Sequence, residues 1–420
     1  MPTLTRQDFA WDRADVFANR AAQMQPSAIR EFLKVMGRPG VISFAGGIPD
    51  PALFPIDAIA QAATRITMDP DRCREALQYA PSEGHEPLRE WIVAYMARLG
   101  VSCTVDNIVI TAGSQQGLDL LGKLFLDRGD AVMVTAPTYL GALQAFRVYE
   151  PSFVAIDPVA PSTRHDRRSV RLAYLIPDFA NPTGETLSRV ERERLLDEFA
   201  ELEIPIIEDA AYQALRYEGE PVPPLLALDI DRVGHIDGSR VIYAGTFSKT
   251  VAPGLRVGWI CAARSVVQNV VLARQAADLH SPTLDQAILH DVVRTRLDAQ
   301  VRRLTQTYRD RRDVMLAALQ HSMPEGTSWS RPQGGMFIWL TLPEGIDSRE
   351  LLQEAVETEG IIFVPGTSFF ADGSGERHVR LNFTRCDDAT IIDGIERLGA
   401  LVARHVKTAA GSAGQMLAAR

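Results

Sequence analysis

The chain is short of cysteine, of basic charge and of long apolar runs, and each shortage closes off a class of function. Four cysteines, Cys73, Cys103, Cys261 and Cys386, are scattered over 420 residues with no CxxC pair and no accompanying histidine cluster. This excludes a disulfide framework and a zinc-ligand spacing, so reduced thiols in a cytoplasmic protein without a metal are expected. Basic residues number 44 against 53 acidic ones, a net charge of −9. Nucleic acid and anionic membrane surfaces both require the opposite balance, although a local basic pocket for a small anion stays compatible with it. No stretch reaches about 18 uninterrupted apolar residues, so no membrane-spanning helix is expected. The amino-terminal "MPTLTRQDFAWDRADVFANR" mixes acids, bases and aromatics, unlike a signal peptide.

What is present is ordinary soluble composition, 46% hydrophobic and 23% charged. The length suggests about two to three domains, and the chain holds no repeat or long low-complexity tract. Residues 11–36 read as helical, and "VISFAGGIPDPALFP" reads as a Gly/Pro loop. From about residue 86 to 300, short apolar strands alternate with helices: "NIVITAG", "DAVMVTAP", "RLAYLIP", "IPIIEDA", "RVIYAGTF" and "RVGWICA" are the strands. That alternation predicts an α/β fold, a mostly parallel sheet flanked by helices. After a long helix at about 285–320 come "GGMFIWLTL", "GIIFVPG" and "HVRLNFT" with helices among them, which read as a smaller α+β domain. The expected division is an arm at 1–55 joining the small domain, a large domain at 56–309, the small domain at 310–406, and a flexible tail at 407–420.

Ligands of such sheets bind at the carboxyl ends of strands, so the residues just after each strand carry the functional reading. Thr111 to Gly117 form a Gly/Ser turn leading into a helix, which suits a phosphate or is a simple cap by Ser114. "NPTG", Asn181 to Gly184, is either a plain turn or a rigid loop presenting the Asn181 amide. Asp209 ends an apolar run, where a bare carboxylate is costly; it caps a helix or meets a cationic donor, with Tyr212 three residues on. Lys249 sits between Ser248 and Thr250, near Thr246 and Arg256. It is a solvated loop lysine, or a desolvated amine nucleophile beside a phosphate cradle. Taken together with the aromatic Tyr139, these are the parts that pyridoxal phosphate needs: a phosphate cup, a ring stacker, an acid for the ring nitrogen and a lysine for the aldehyde.

Ten runs then carry a resemblance across residues 29–400, among them "SFAGGIPDPALFP", "QYAPSEGHEPLREW", "ITAGSQQGLDLLGKLFLDRGD", "YLIPDFANPTGETLS", "IIEDAAY", "GTFSKTVAPGLRVGW" and "VRLNFT". The sequence resembles the class I/II aminotransferases of the fold-type I pyridoxal phosphate enzymes, nearest the branch of 2-aminoadipate, aromatic and kynurenine aminotransferases. The resemblance implies that Lys249 bonds the cofactor and shuttles a proton between Cα and C4′, while Asp209 holds the ring nitrogen. Tyr212 and Asn181 would reach O3′ and Tyr139 would stack. Gly113, Ser114, Gln115, Thr246, Ser248 and Arg256 would hold the phosphate, with Tyr79 arriving from the partner of a homodimer. Arg380 would clamp the substrate α-carboxylate, Gly46 and Gly47 would let their segment pass close by, and Arg30 would receive a distal carboxylate.

The implied reaction is ping-pong transfer of an amino group from an acidic, aromatic or aliphatic L-amino acid to a 2-oxo acid such as 2-oxoglutarate. The same parts also serve β-lyases, racemases, decarboxylases and oxidases, which diverge only after the Cα proton is lost. A regulator with an aminotransferase-like domain would need a DNA-binding module, and about 28 residues ahead of the matched runs are too few. Three departures from the family stand out: Ala210 or Ala211 within "EDAAY", Ala180 in "DFANPTG", and a short "PVAPSTRHDRRSV" expected as a surface loop.

Overall fold

A computed structural model describes residues 16–24, 40–157 and 170–418. Most of the helix expected at 11–36, Arg30 with it, lies outside the described residues, as does the loop at 158–169.

The first strand, β1 (Ile42–Ser43), belongs to the carboxyl-terminal part of the structure. A seven-stranded sheet follows, made of β2 (Ile108–Thr111), β3 (Ala131–Thr135), β4 (Ser152–Ile156), β5 (Val170–Leu175), β6 (Ile206–Asp209), β7 (Val241–Thr246) and β8 (Gly258–Cys261). Its order is β2-β8-β7-β6-β5-β3-β4. Pairs within β7-β6-β5-β3-β4 are parallel, and only β8 runs against its neighbours β2 and β7. The mostly parallel α/β sheet is therefore as expected, with one reversal.

The strands are apolar without interruption because both faces are covered. Along β2, Ile108 and Ile110 face one core and Val109 the other; along β7, Val241 and Tyr243 alternate with Ile242 and Ala244. Helices close both faces. The helix Arg189–Leu202 begins at a capping box in which Ser188 and Glu191 bond each other's backbone N–H. The edge strand β4 is half exposed and was not among the strands expected from the sequence.

The 40-residue helix Thr283–Ser322 leads to the second part. There β9 (Ser328–Trp329), β10 (Phe337–Thr341), β12 (Val364–Pro365) and β13 (His378–Asn382) form an antiparallel sheet in the order β12-β13-β10-β9, while β11 (Ile361–Ile362) pairs in parallel with β1. "GIIFVPG" is thus two strands of two sheets, divided at Phe363. The last helix, Asp388–Ala418, continues through most of the stretch expected as a flexible tail.

Candidate active site

Strands β2, β3, β5, β6 and β7 all end on one edge of the sheet, and the reversed β8 begins there. That single reversal returns Arg256, just ahead of β8, to the turn after β2. One cavity at this edge is lined by Gly47, Ser114, Gln115, Tyr139, Asn181, Asp209, Tyr212, Thr246, Ser248, Lys249, Arg256 and Arg380, together with Ile176, Ala211 and Pro253.

The turn after β2 is built for close approach. Gly113 has φ +89°, and a Cβ there would come within 2.5 Å of Arg256 Nη2. Arg256 itself holds φ +50° and donates to the carbonyls of Ala112 at 2.7 Å and Pro253 at 3.3 Å. Ser114 is the first residue of the helix Ser114–Phe125 rather than its cap, and no side chain caps that end. The unbonded N–H groups of the first turn and the Ser114 hydroxyl therefore face the cavity as anion donors. Thr246 and Ser248 stand opposite, their hydroxyls 2.9 Å apart. Gln115 is held by a 2.8 Å bond to the Gly141 carbonyl.

Asp209 does not cap a helix. It is 3% exposed and accepts a 2.8 Å hydrogen bond from the Tyr174 hydroxyl and a 3.3 Å bond from Ala211 N. Burial raises its carboxyl to about 6, with the Tyr174 and Ala211 bonds and the Lys249 charge opposing the rise. Asn181 donates to Tyr212 Oη at 3.3 Å. The loop carrying Asn181 is fixed from behind by the fully buried Arg192, which pairs with Asp178 at 3.0 Å and donates to Pro177 O. Tyr139 precedes the helix Leu140–Arg147, and burial pushes its hydroxyl up to about 12.

Lys249 directs Nζ to the carbonyl of Gly47 at 2.7 Å. Burial lowers its amine to about 8, aided by Arg380 and Arg256 and opposed by Asp209. Arg380, 0% exposed on β13, reaches across to the same cavity. Its Nη1 donates to Asn181 Oδ1 at 2.9 Å and its Nη2 to Ala45 O at 2.7 Å, while Nε is buried with no partner. The guanidinium lies between the rings of Phe337 and Phe369, at 4.3 and 5.0 Å. Two aromatic faces fix its plane, which leaves an oriented donor edge for a carboxylate.

Three expected residues are not on the cavity wall. Gly46 is buried in the segment that contributes Gly47 and Ala45, Gly113 shapes the turn from beneath, and Tyr79 stands 79% exposed with its ring edge-on to His280. Tyr174, Ile176, Phe337 and Phe369 were missed in the sequence. Tyr174, Ile176 and Phe337 lie in apolar runs, where an aromatic or aliphatic residue signals core packing and nothing more, and Phe369 closes the turn Gly366–Phe369, where nothing local marks it.

Residues 39–398 match the family described as aminotransferase class I and II. The chain is 39% identical over 410 residues to aromatic-amino-acid aminotransferase 1 of Thermococcus litoralis, covering 94% of this chain and 96% of that one. It is 40% identical over 397 residues to the 2-aminoadipate transaminase of Thermus thermophilus, covering 93% and 96%. Among solved structures, the Thermus thermophilus alpha-aminoadipate aminotransferase LysN, complexed with N-(5'-phosphopyridoxyl)-L-leucine, superposes with a TM-score of 0.85. It is 38% identical and covers 95% of this chain and 100% of that chain. A Pyrococcus horikoshii kynurenine aminotransferase in complex with PMP gives a TM-score of 0.84 at 38% identity, covering 93% and 98%.

Proposed function

The chain belongs to the class I and II aminotransferases and is a pyridoxal-phosphate enzyme of fold type I, and from that premise we propose how its own residues divide the work and what they act on. The residues present fit the cofactor. The missing Cβ at Gly113 lets the Arg256 guanidinium pack against the turn after β2, hydroxyls and helix N–H groups line the cavity beside it, and a buried carboxylate and an amine of lowered basicity line the same cavity.

Gly113, Ser114, Gln115, Thr246, Ser248 and Arg256 would hold the phosphate, Tyr139 would cover one face of the ring, and Asn181 and Tyr212 would donate at its oxygen. Pyridoxal phosphate, when bound, supplies an electron-withdrawing ring that stabilises charge at the substrate Cα and carries the amino group between half-reactions. Asp209 would hold the cationic ring nitrogen, because a buried anion there is best offset by a cationic donor. Lys249 would hold the cofactor, and its Nζ would take up the Cα proton of the amino acid. Its neutral form is available near physiological pH because two arginines and burial disfavour the charged one. Arg380 receives the α-carboxylate on the edge that bears its unpartnered Nε.

The donors are L-amino acids of acidic, aromatic or aliphatic side chain and the acceptor is 2-oxoglutarate. The enzyme works in the cytoplasm as a homodimer whose sites are shared through Tyr79; the described cysteines are all free thiols, and Tyr79 is too exposed to serve the cavity of its own protomer. The observation that carries the reading is the Lys249 amine, held only by a main-chain carbonyl among groups that lower its basicity. The test is reductive trapping with borohydride in the presence of an amino-donor panel. Cofactor should be fixed on Lys249, and one half-reaction should leave pyridoxamine phosphate without ammonia. A Lys249→Ala protein that still transaminates would refute the role.

A further inference from the structure

Arg274 has no part in the cavity, yet it is among the largest fully buried side chains. It leaves the last turn of the helix Arg264–Gln275, and all three nitrogens of its guanidinium are engaged. Nη1 donates to the carbonyl of Ile110 and, at 3.4 Å, to that of Ser82. Nη2 donates to Ser281 Oγ at 2.5 Å, and Nε to Asp278 Oδ1 at 3.1 Å. A planar fork can serve acceptors on several segments at once, which an ammonium cannot.

Three segments meet at this side chain. Ile110 lies in β2, which runs into Gly113. Ser82 lies in the loop that carries Tyr79. Asp278 to Ser281 form a strap between two helices, and the strap reaches both ways. Gln116 Nε2 donates to Asp278 Oδ2 at 2.5 Å while Gln116 Oε1 accepts from Ala112 N at 2.7 Å, tying the strap to the phosphate turn. The His280 ring meets the Tyr79 ring edge-on at 6.0 Å. The loop itself is pinned by Ile110 N to Glu83 O at 2.8 Å and by His85 N to Gln286 Oε1 at 2.8 Å. Gly84 has φ +105° and allows contact with Ile110 that a Cβ would block at 2.5 Å. The Tyr79 ring projects from this anchored base into the open.

We infer that Arg274 is a positioning residue: it fixes the Tyr79 loop against the edge strand, so that its loss weakens the neighbouring protomer's phosphate site more than its own. The inference rests on the reading that Tyr79 crosses to the partner. Three features support it: the arginine is wholly buried, its acceptors lie on the segments flanking Tyr79, and the aromatic it supports is left with no cavity of its own.

Hybrid dimers of the full chain test it. One protomer carries Lys249→Ala, so borohydride can trap pyridoxal phosphate only on the other, and the concentration for half-maximal trapping is read. With Arg274→Lys on the Lys249→Ala protomer, that concentration should rise about fivefold or more, the loss expected for a misplaced hydrogen bond to a charged group. With Arg274→Lys on the protomer that keeps Lys249, it should stay within about twofold of the unmodified hybrid. Tyr79→Phe, placed the same two ways, must show the same asymmetry; if it does not, the crossing of Tyr79 fails and the inference falls with it. If Tyr79→Phe is asymmetric while Arg274→Lys is silent or weakens both placements alike, Arg274 is only a structural residue and the inference alone is overturned. Ser281→Ala, removing the hydroxyl that accepts from Nη2, serves the same comparison should the Arg274→Lys chain not fold.

Discussion

The hydroxyl of Tyr174 on β5 donates a 2.8 Å hydrogen bond across the sheet to Asp209 Oδ2 at the end of β6, with both side chains buried. That bond opposes the rise that burial imposes on the Asp209 carboxyl. It also occupies one carboxylate oxygen and leaves Oδ1 with only a 3.3 Å bond from Ala211 N.

Tyr174→Phe should therefore make Asp209 easier to protonate. The acid limb of the kcat/KM profile should move to higher pH, and the rate at neutral pH should fall about tenfold, the worth of a hydrogen bond to a charged group. A pH–rate profile that matches the unmodified enzyme would remove Tyr174 from the mechanism.

Asp209→Asn should stabilise the cofactor-free protein while abolishing useful catalysis. The folded carboxyl titrates at about 6, above its ordinary 3.8. The folded protein thus binds the proton more tightly than the unfolded chain. The penalty is absent below about pH 4, grows between the two values, and is complete above about 6. Removing it should gain on the order of 2–3 kcal/mol at pH 8 and little at pH 4. Thermal unfolding of the cofactor-free proteins at both pH values gives the comparison.

Attachment of pyridoxal phosphate to the cofactor-free enzyme should speed up as pH rises through about 8 and then level off, because only the uncharged Lys249 amine attacks. Arg380 is the largest charge lowering that amine. Arg380→Met should shift the midpoint to higher pH. Stopped-flow absorbance after mixing with cofactor reports the midpoint directly.

Arg380→Lys should raise KM for the amino donor about 10- to 100-fold while changing kcat less. An ammonium cannot fill the slot between Phe337 and Phe369, bond Asn181 and Ala45, and still offer an edge to a carboxylate. Steady-state kinetics with an acidic and an aromatic donor should show the same loss, since both carry the α-carboxylate. A loss confined to one donor would place the residue at the side chain instead.

Much of the fold and the site could be read from the sequence because the fold type repeats one rule: an apolar strand, then a chemically distinctive residue at its end. Ser114, Asn181, Asp209 and Lys249 each come at or just after the end of a run of buried residues, and each lines the same cavity. What could not be read has a physical reason in each case. Tyr174 sits inside "RLAYLIP", where its ring packs like any core aromatic and only its hydroxyl matters. The reversal of β8 leaves no mark on its own four residues, which are buried like those of its parallel neighbours. Phe337 and Phe369 become a clamp for Arg380 only when β10, β13 and the turn after β12 are brought together. Phe363 divides a continuous apolar run into two sheets, and no local periodicity reveals that.

The seven-stranded sheet has one further consequence, for the order in which the protein can be made. Strand β2 is the first of the sheet to leave the ribosome, yet its only neighbour is β8, about 150 residues later in the chain. Until Gly258–Cys261 has been synthesised, the edge carrying Gly113 and Ser114 has nothing to pair with. Arg256, which completes the anion cup, arrives with that late strand. Within this sheet the contact is the most distant in sequence, and such contacts are slow to close because chain entropy must be lost before they form. A growing chain can therefore pair β3, β4, β5, β6 and β7 before β2 has a strand to join, and Arg256 meets the turn after β2 only when β8 closes the sheet.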